Sequence, residues 1–152
     1  MAENNFSLSL VETSADWEQY HAIRNAELFK ARNDGRIYNP NNPDEHAPNN
    51  FPLLFKSDGE SLGTTRLDVR PDDTAIIRLV AITKDKQRKG YGRILQKAVE
   101  DFAKGKEVKK LLVNAAPDAV GFYEKIGFTH ESWDPDELHG ISLGSVQMSK
   151  LV

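Results

Sequence analysis

Phe6, Leu8 and Leu10 alternate with serines, a period of two that predicts a β-strand with one buried face. Met1 to Asn5, ahead of it, is expected to fray. The period then changes. Thr13 or Ser14 is placed to cap a helix with Asp16 in its first turn, and Trp17, Tyr20, Ile23 and Leu28 supply an apolar face through about Arg32. Asn33 to Asn50 keeps neither period and holds three prolines and six asparagines. Such a stretch cannot build a core of its own, so it is expected to be a surface loop with a short helical turn near Asp44-Glu45-His46. It is either an irregular connection or a cover whose Arg36, Tyr38, Asp44, Glu45 and His46 line a substrate mouth.

An antiparallel meander follows. Phe51 to Lys56 and Ser61 to Arg70 read as strands joined at Asp58-Gly59, a strong hairpin signal, and Pro71-Asp72-Asp73 turns the chain into a third strand from Thr74 to Ile82. After Gly92 the period becomes helical: Ile94, Leu95, Ala98, Val99 and Phe102 share one face, ending near Ala103 with Gly105 as the cap. Val108 to Ala115 is again a strand. With the strand and helix before it, it makes a β-α-β unit, whose strands run parallel through a right-handed crossover. Pro117 opens a short helix carrying Val120, Phe122, Tyr123 and Ile126, and Gly127 stops it. Phe128 to Ser132 is a short strand, Trp133 to Gly140 an acidic loop, and Ile141 to Lys150 a closing strand. Hairpins plus one crossover predict an α/β protein of the mixed α+β kind, with a mostly antiparallel sheet flanked by helices. No repeat or linker interrupts the chain, and residues 1–152 are expected to form a single domain.

Composition narrows the functions. The net charge is −3, so nothing global points to nucleic acid, and no apolar run is long enough to span a membrane. The chain has no cysteine, which excludes disulfides, thiolate nucleophiles and cysteine metal sites. Its four histidines lack metal-ligand spacing, so no metal is expected. No signal peptide is visible, and a cytoplasmic location is the expectation.

Charge is concentrated at one place. Lys84, Lys86, Arg88, Lys89, Arg93 and Lys97 face only Asp85 and Glu100, and they surround Gly90-Tyr91-Gly92 at the start of the predicted helix. A first helical turn leaves backbone N–H groups unpaired at the positive end of the peptide dipoles, and glycine lets a large anion approach. A phosphate or pyrophosphate is the natural guest. The other reading is a loop that the glycines merely terminate. Gly-x-x-x-x-Gly-Lys-Ser/Thr is absent, and so is the third glycine of a dinucleotide turn.

Gln87-Arg88-Lys89-Gly90-Tyr91-Gly92 matches Gln/Arg-x-x-Gly-x-Gly/Ala and resembles the coenzyme A pyrophosphate loop of the GNAT family of N-acetyltransferases. Asn114 to Phe128, which includes Phe122-Tyr123-Glu124-Lys125-Ile126-Gly127-Phe128, resembles that family's second signature. The order of elements fits from Phe6 to Lys150. The resemblance implies a GNAT acyl-CoA N-acyltransferase fold with two central parallel strands splayed apart, here Leu79–Ile82 and Leu111–Ala115. It implies acetyl-CoA as cosubstrate in that wedge, with Val80, Ala81 and Ile82 pairing the pantetheine arm as an added strand. Gln87, Arg88, Lys89, Gly90, Tyr91, Gly92 and Arg93 would hold the pyrophosphate. Asn114 would face the pantetheine or the thioester, and Tyr123 would be the general acid beside the sulfur. Read from its position alone, Tyr123 is better explained as a core aromatic at helical spacing.

The implied activity is transfer of an acetyl group to a primary amine of a small molecule, amino acid or peptide, by direct attack in a ternary complex. A lysine-like amine, with a pKa near 10.4, costs about 4 kcal/mol to hold neutral at pH 7.4. A base, a water chain or a desolvating pocket must meet that cost. Many members of the family carry a glutamate base on the strand before the loop, where this chain has Arg78, which cannot be a base. Asp68, Glu27, His46 and His139 are candidates in its stead. Arg24, Arg66 and Arg78 favour an acceptor with a carboxylate, whereas Asp134-Pro135-Asp136-Glu137 favours a cationic one. Other readings are another acyl-CoA donor, a hydroxyl acceptor, or a non-catalytic acyl-CoA-binding sensor or interaction module. A homodimer through an exposed edge strand near Ile141–Lys150 is a further expectation.

Overall fold

The structure, a computed structural model, describes residues 5–152. The expected fraying of the first residues, except at Asn5, lies outside the described part. Among these residues seven strands form one sheet: β1 (Phe6–Leu10), β2 (Asn50–Ser57), β3 (Glu60–Val69), β4 (Thr74–Ile82), β5 (Lys110–Ala115), β6 (Thr129–His130) and β7 (Val146–Leu151). Their order across the sheet is β1-β2-β3-β4-β5-β7-β6, and only β4 and β5 are parallel. Among the described residues three α-helices flank it: α1 (Ser14–Arg24), α2 (Tyr91–Gly105) and α3 (Val120–Lys125). Among the described residues no helix is long and apolar enough to cross a membrane.

The alternation along the strands sorts the sheet into two faces. Leu53, Phe55, Leu67, Ile77, Leu111 and Val113 pack under Leu95, Val99 and Ala103 of α2. On the other face a smaller cluster joins Leu54 and Ala81 to Tyr20 and Ile23 of α1 and to Leu28. Thr13 caps α1, its hydroxyl accepting from Asp16 N–H at 3.1 Å. The helix does not continue regularly to Arg32: Asn25–Lys30 widens to a π-helical stretch, which propensity does not forecast.

The decisive irregularity is in β4. It pairs with β3 in register from Ala75 to Arg78 and again from Ala81, but between those pairs two residues of β4, Leu79 and Val80, stand against one of β3, Thr65. That is a β-bulge, and it bends the strand that carries it. Leu79 takes φ +53°, a left-handed conformation costly for a residue with a Cβ. Thr65 Oγ1 donates to the Arg78 carbonyl at 3.0 Å and so ties the residue opposite the bulge to the point where the bulge begins. The parallel pairing of β4 with β5 ends one residue earlier, at Ile77↔Val113. Beyond it the two strands part. The expected splay therefore starts later on β5 than the sequence suggested: Leu111 to Val113 are still paired, and only Asn114 and Ala115 enter the fork.

Other boundaries move for local reasons. Gly105 is the last residue of α2, and the left-handed turn that ends the helix falls on Glu107 (φ +63°) instead. The strand expected over Phe128 to Ser132 keeps only two residues. The closing strand begins at Val146, because Gly140–Ser142 winds into a single helical turn. It is also not an edge strand: β7 lies between β5 and β6, so the edges are β1 and β6, and Thr129–His130 covers the expected edge at Met148 and Ser149.

The bulge yields a stability prediction. Thr65→Val removes the donor to the Arg78 carbonyl and should lower stability by about 1–3 kcal/mol, seen as a lower urea midpoint at unchanged slope. An unchanged midpoint would mean that the threonine does not brace the bulge.

Candidate active site

The fork opens into a cleft of about 680 Å³. Leu79 and Val80 form one side, and Val113, Asn114 and Ala115 the other. Tyr123 of α3 lies between this cleft and a second cavity of about 210 Å³, which runs under Gly92, Gln96 and Phe122. Gly92 packs closely at that crossing, since a Cβ there would stand 3.3 Å from the Phe122 ring. Tyr123 packs edge-on against Phe122 and Phe128, and burial pushes its hydroxyl up to about 12. It is therefore a protonated phenol throughout the physiological range.

At the far end of β4 the chain turns through two left-handed residues, Arg88 (φ +62°) and Gly90 (φ +87°), before α2 begins. Gly90 caps α2 without any side-chain hydrogen bond, and a Cβ built on it meets nothing within 4 Å. The first-turn N–H groups of a fifteen-residue helix thus face an open, uncapped approach with basic residues around it. These features fit an anion such as a pyrophosphate.

The sheet face beneath α1 carries a different arrangement. Arg66, Asp68 and Arg78 lie on adjacent positions of β3 and β4, with Arg66 directly opposite Arg78. Arg66 holds Asp68 with two hydrogen bonds, from Nε at 2.7 Å and from Nη2 at 3.0 Å. Arg78 Nε donates to the same carboxylate at 2.6 Å, and its Nη1 meets Glu137 at 2.7 Å. Behind them Glu45, 4% exposed, comes down from the long loop and accepts from Tyr20 Oη at 2.7 Å, from Arg66 at 3.1 Å and from Arg24. Three guanidiniums and three carboxylates alternate, with no net charge. Arg24, 1% exposed, also lies over the Tyr20 ring.

The profile of the Acetyltransferase (GNAT) family matches residues 15–128. The chain belongs to the GNAT family of acetyltransferases. Solved GNAT-fold structures agree. The ribosomal-protein-S18-alanine N-acetyltransferase from Escherichia coli superposes with a TM-score of 0.74 at 17% identity, over 97% of this chain and 94% of that one. The PaiA N-acetyltransferase from Thermoplasma acidophilum, in complex with coenzyme A, gives 0.71 at 16% identity over 97% and 99%. The N-acetylglutamate synthase from Neisseria gonorrhoeae, with coenzyme A and N-acetyl-glutamate, gives 0.78 at 16% identity, over 99% of this chain and 36% of that one. At these identities the likeness is one of fold.

Within this GNAT chain the residues singled out from the sequence fall into three groups. Val80, Asn114 and Tyr123 line the cleft, and Ala81 and Ile82 continue β4 beyond the fork. Arg88, Lys89, Gly90, Tyr91, Gly92 and Arg93 form the turn and the first residues of α2. Gln87 differs: its side chain folds inward, donating to the Ile82 carbonyl at 2.8 Å and reaching Glu27 at 3.4 Å. Glu27 also accepts the Lys84 N–H at 3.1 Å. Gln87 and Glu27 are thus braces of the loop.

The candidate bases are sorted by the same contacts. Glu27 is committed to the loop. Asp68 lines the cleft, but both its oxygens are held by arginines. His46 lies against the Trp17 ring, 5.1 Å between centroids, and does not line the cleft. His139 does line it. Of the loop residues suggested for a substrate mouth, Asp44 lines the cleft, Glu45 is buried beneath it, Tyr38 bonds His21, and Arg36 faces Asp34 at 3.6 Å. Sequence reasoning missed Gln147, which links Asn114 to Asp134, and the anchoring by Glu45. The polar positions alternating with Val146 and Met148 were the signal for the first. A carboxylate in a polar loop gives no signal for the second.

Glu45→Ala should lower stability by about 3–5 kcal/mol, because it leaves buried Arg24 without its carboxylate. Adding Arg24→Met should restore much of the loss in urea denaturation. A shift under about 1 kcal/mol for the single variant would contradict the anchoring role.

Proposed function

We propose that this single-domain protein is an acetyl-CoA-dependent N-acetyltransferase that acetylates a primary amine by direct attack in a ternary complex. The observation that carries the reading is the fork: β4 leaves β5 at Ile77↔Val113 and presents Val80–Ile82 beside a cleft that ends at a buried tyrosine. Acetyl-CoA supplies an activated acetyl group as its thioester.

The chain's own groups would do the following. Val80, Ala81 and Ile82 offer a strand edge to the amide-bearing arm, a β-augmentation that orients it by main-chain hydrogen bonds. The N–H groups from Gly90 to Arg93, with Arg88 and Lys89, bind the pyrophosphate, and Gln87 supports them by holding the loop to Ile82. Asn114 orients the bound ligands at the fork. Unpaired strand N–H groups at Val80 or Ile82 can donate to the oxygen on which charge develops. Tyr123 Oη delivers a proton to the departing sulfur. A phenol near 12 is a weaker acid than a thiol near 8.5, so full transfer is uphill by about 5 kcal/mol unless the proton is replaced as it leaves. The ammonium formed by the attacking amine is the source of that replacement. His139 is the group left to carry it, directly or through water.

Two variants test this. Gly90 takes a left-handed φ of +87°, so Gly90→Val strains the turn and puts a branched side chain over the helix terminus. Acetyl-CoA binding should fall at least tenfold in calorimetry, with the circular dichroism of the fold retained; unchanged affinity would remove the loop from the site. Tyr123→Phe should lower kcat about 10²-fold with little change in the KM for acetyl-CoA. Equal turnover would leave Tyr123 a packing residue.

The raised Tyr123 hydroxyl also sets a pH dependence. A phenol that titrates near 12 stays protonated below that pH, so kcat/KM should rise as the acceptor ammonium deprotonates and show no falling limb below about pH 11. A descending limb between pH 8 and 10 would contradict the assignment.

A further inference from the structure

The fork end of the cleft has unequal hydrogen-bonding capacity. Two of its acids are engaged: Asp68 is held by Arg66 and Arg78, and Glu137 meets Arg78 Nη1 through Oε1, while Asp44 lines the same cleft from the long loop. Some of its donors are not engaged. A guanidinium has five N–H groups, and Arg78 Nη2 has no partner among the described residues.

Asn114 is in the same position. The Asp134 N–H donates to Gln147 Oε1 at 2.9 Å, so the amide nitrogen of Gln147 must be the atom that meets Asn114, and it donates to Asn114 Oδ1 at 3.0 Å. That bond orients the Asn114 amide and leaves Nδ2 with no acceptor among the described residues. Arg78 and Asn114 each follow the last parallel pair, Ile77↔Val113, so they face each other across the vertex of the fork, and both line the cleft. Arg32 lines it too, with no ion pair among the described residues. Arg78 Nη2 and Asn114 Nδ2 are the donors that an anion at the vertex would meet.

We infer that the acceptor is an α-amino acid or close amino carboxylate, whose carboxylate is bound by Arg78 Nη2 and Asn114 Nδ2 at the vertex of the fork. A carboxylate takes such paired donors in one plane, and a guanidinium edge is shaped for it. This rests on the acetyltransferase reading above. In the reaction the amine nitrogen bonds to the acetyl carbonyl carbon as the carbon–sulfur bond breaks. The nitrogen loses a proton, the sulfur leaves as thiolate and gains one, and the products are the N-acetyl amino acid and the free thiol of coenzyme A. The carboxylate is unchanged. Glu137 competes for Arg78 from the half-buried loop at the cleft mouth.

The test is thiol release with free α-amino acids, with the amides of the same amino acids, and with simple alkylamines. At least one amino acid should exceed its own amide by about 100-fold in kcat/KM. Arg78→Gln should collapse that ratio at least tenfold, and the ratio is internal to each variant, so a general loss of activity cancels. Glu137→Gln, on the half-buried loop at the cleft mouth, should lower the KM for the amino acid and leave that for acetyl-CoA unchanged. Equal use of acid and amide, a ratio that survives Arg78→Gln, transfer to alkylamines alone, or bound acetyl-CoA with no transfer to any amino acid would each overturn the inference. Failure of acetyl-CoA to bind in calorimetry, read without any acceptor, would instead overturn the reading of the fork beneath it.

Discussion

The structure depends on one interruption. A parallel pair buried in the middle of a sheet would ordinarily zip along its whole length, since every unpaired backbone group away from water is costly. Here β4 is bent by the bulge at Leu79 and Val80, and β5 is released after Val113. The left-handed Leu79 carries a conformational cost of roughly 1–3 kcal/mol that only the surrounding structure can impose. What supports it is visible: pairing with β3 resumes at Ala81, and Thr65 stops the Arg78 carbonyl. The bulge therefore leaves a strand edge and a cleft at the centre of the fold.

The two faces of the sheet then divide the work. On the α2 face apolar packing is continuous, and it fixes α2 and Tyr123 against the far side of the fork. On the α1 face the same strands carry Arg66, Asp68 and Arg78, where an apolar core would be simpler. Taking such charges from water is expensive, and an alternating ion network rarely gains stability over well-packed apolar residues. Its gain is in position: Glu45 fixes Arg66, Arg66 fixes Asp68, and Asp68 fixes Arg78 at the vertex. A loop with few apolar residues is held down by one buried carboxylate, and that carboxylate is linked through three further side chains to the fork.

Much of this was legible in the residues, for physical reasons that differ by element. Phe6–Leu10, the Asp58-Gly59 hairpin and the Ile94–Phe102 face carry strong local periods and turn chemistry, and each lies within a residue or two of its predicted place. The glycine turn was legible because only glycine adopts left-handed φ at an uncapped helix start without strain. Elements whose limits are set by neighbours were not. β7 lies inside the sheet because Thr129–His130 pairs along it, and no local signal encodes that. The bulge at Leu79 has no glycine or asparagine to announce it. Asp68 and Glu27 looked like bases in one dimension; in three, their lone pairs are occupied.

If the open edge of β4 and the start of α2 together receive acetyl-CoA, both should be protected when it binds. Amide hydrogen exchange of the intact protein, with and without saturating acetyl-CoA, tests it at the residues themselves. The account predicts slowed exchange confined to Val80–Ile82, Gly90–Arg93 and the Asn114 end of β5, with β1 and β2 unchanged. Protection that is absent from those segments, or that appears only elsewhere on the sheet, would contradict it.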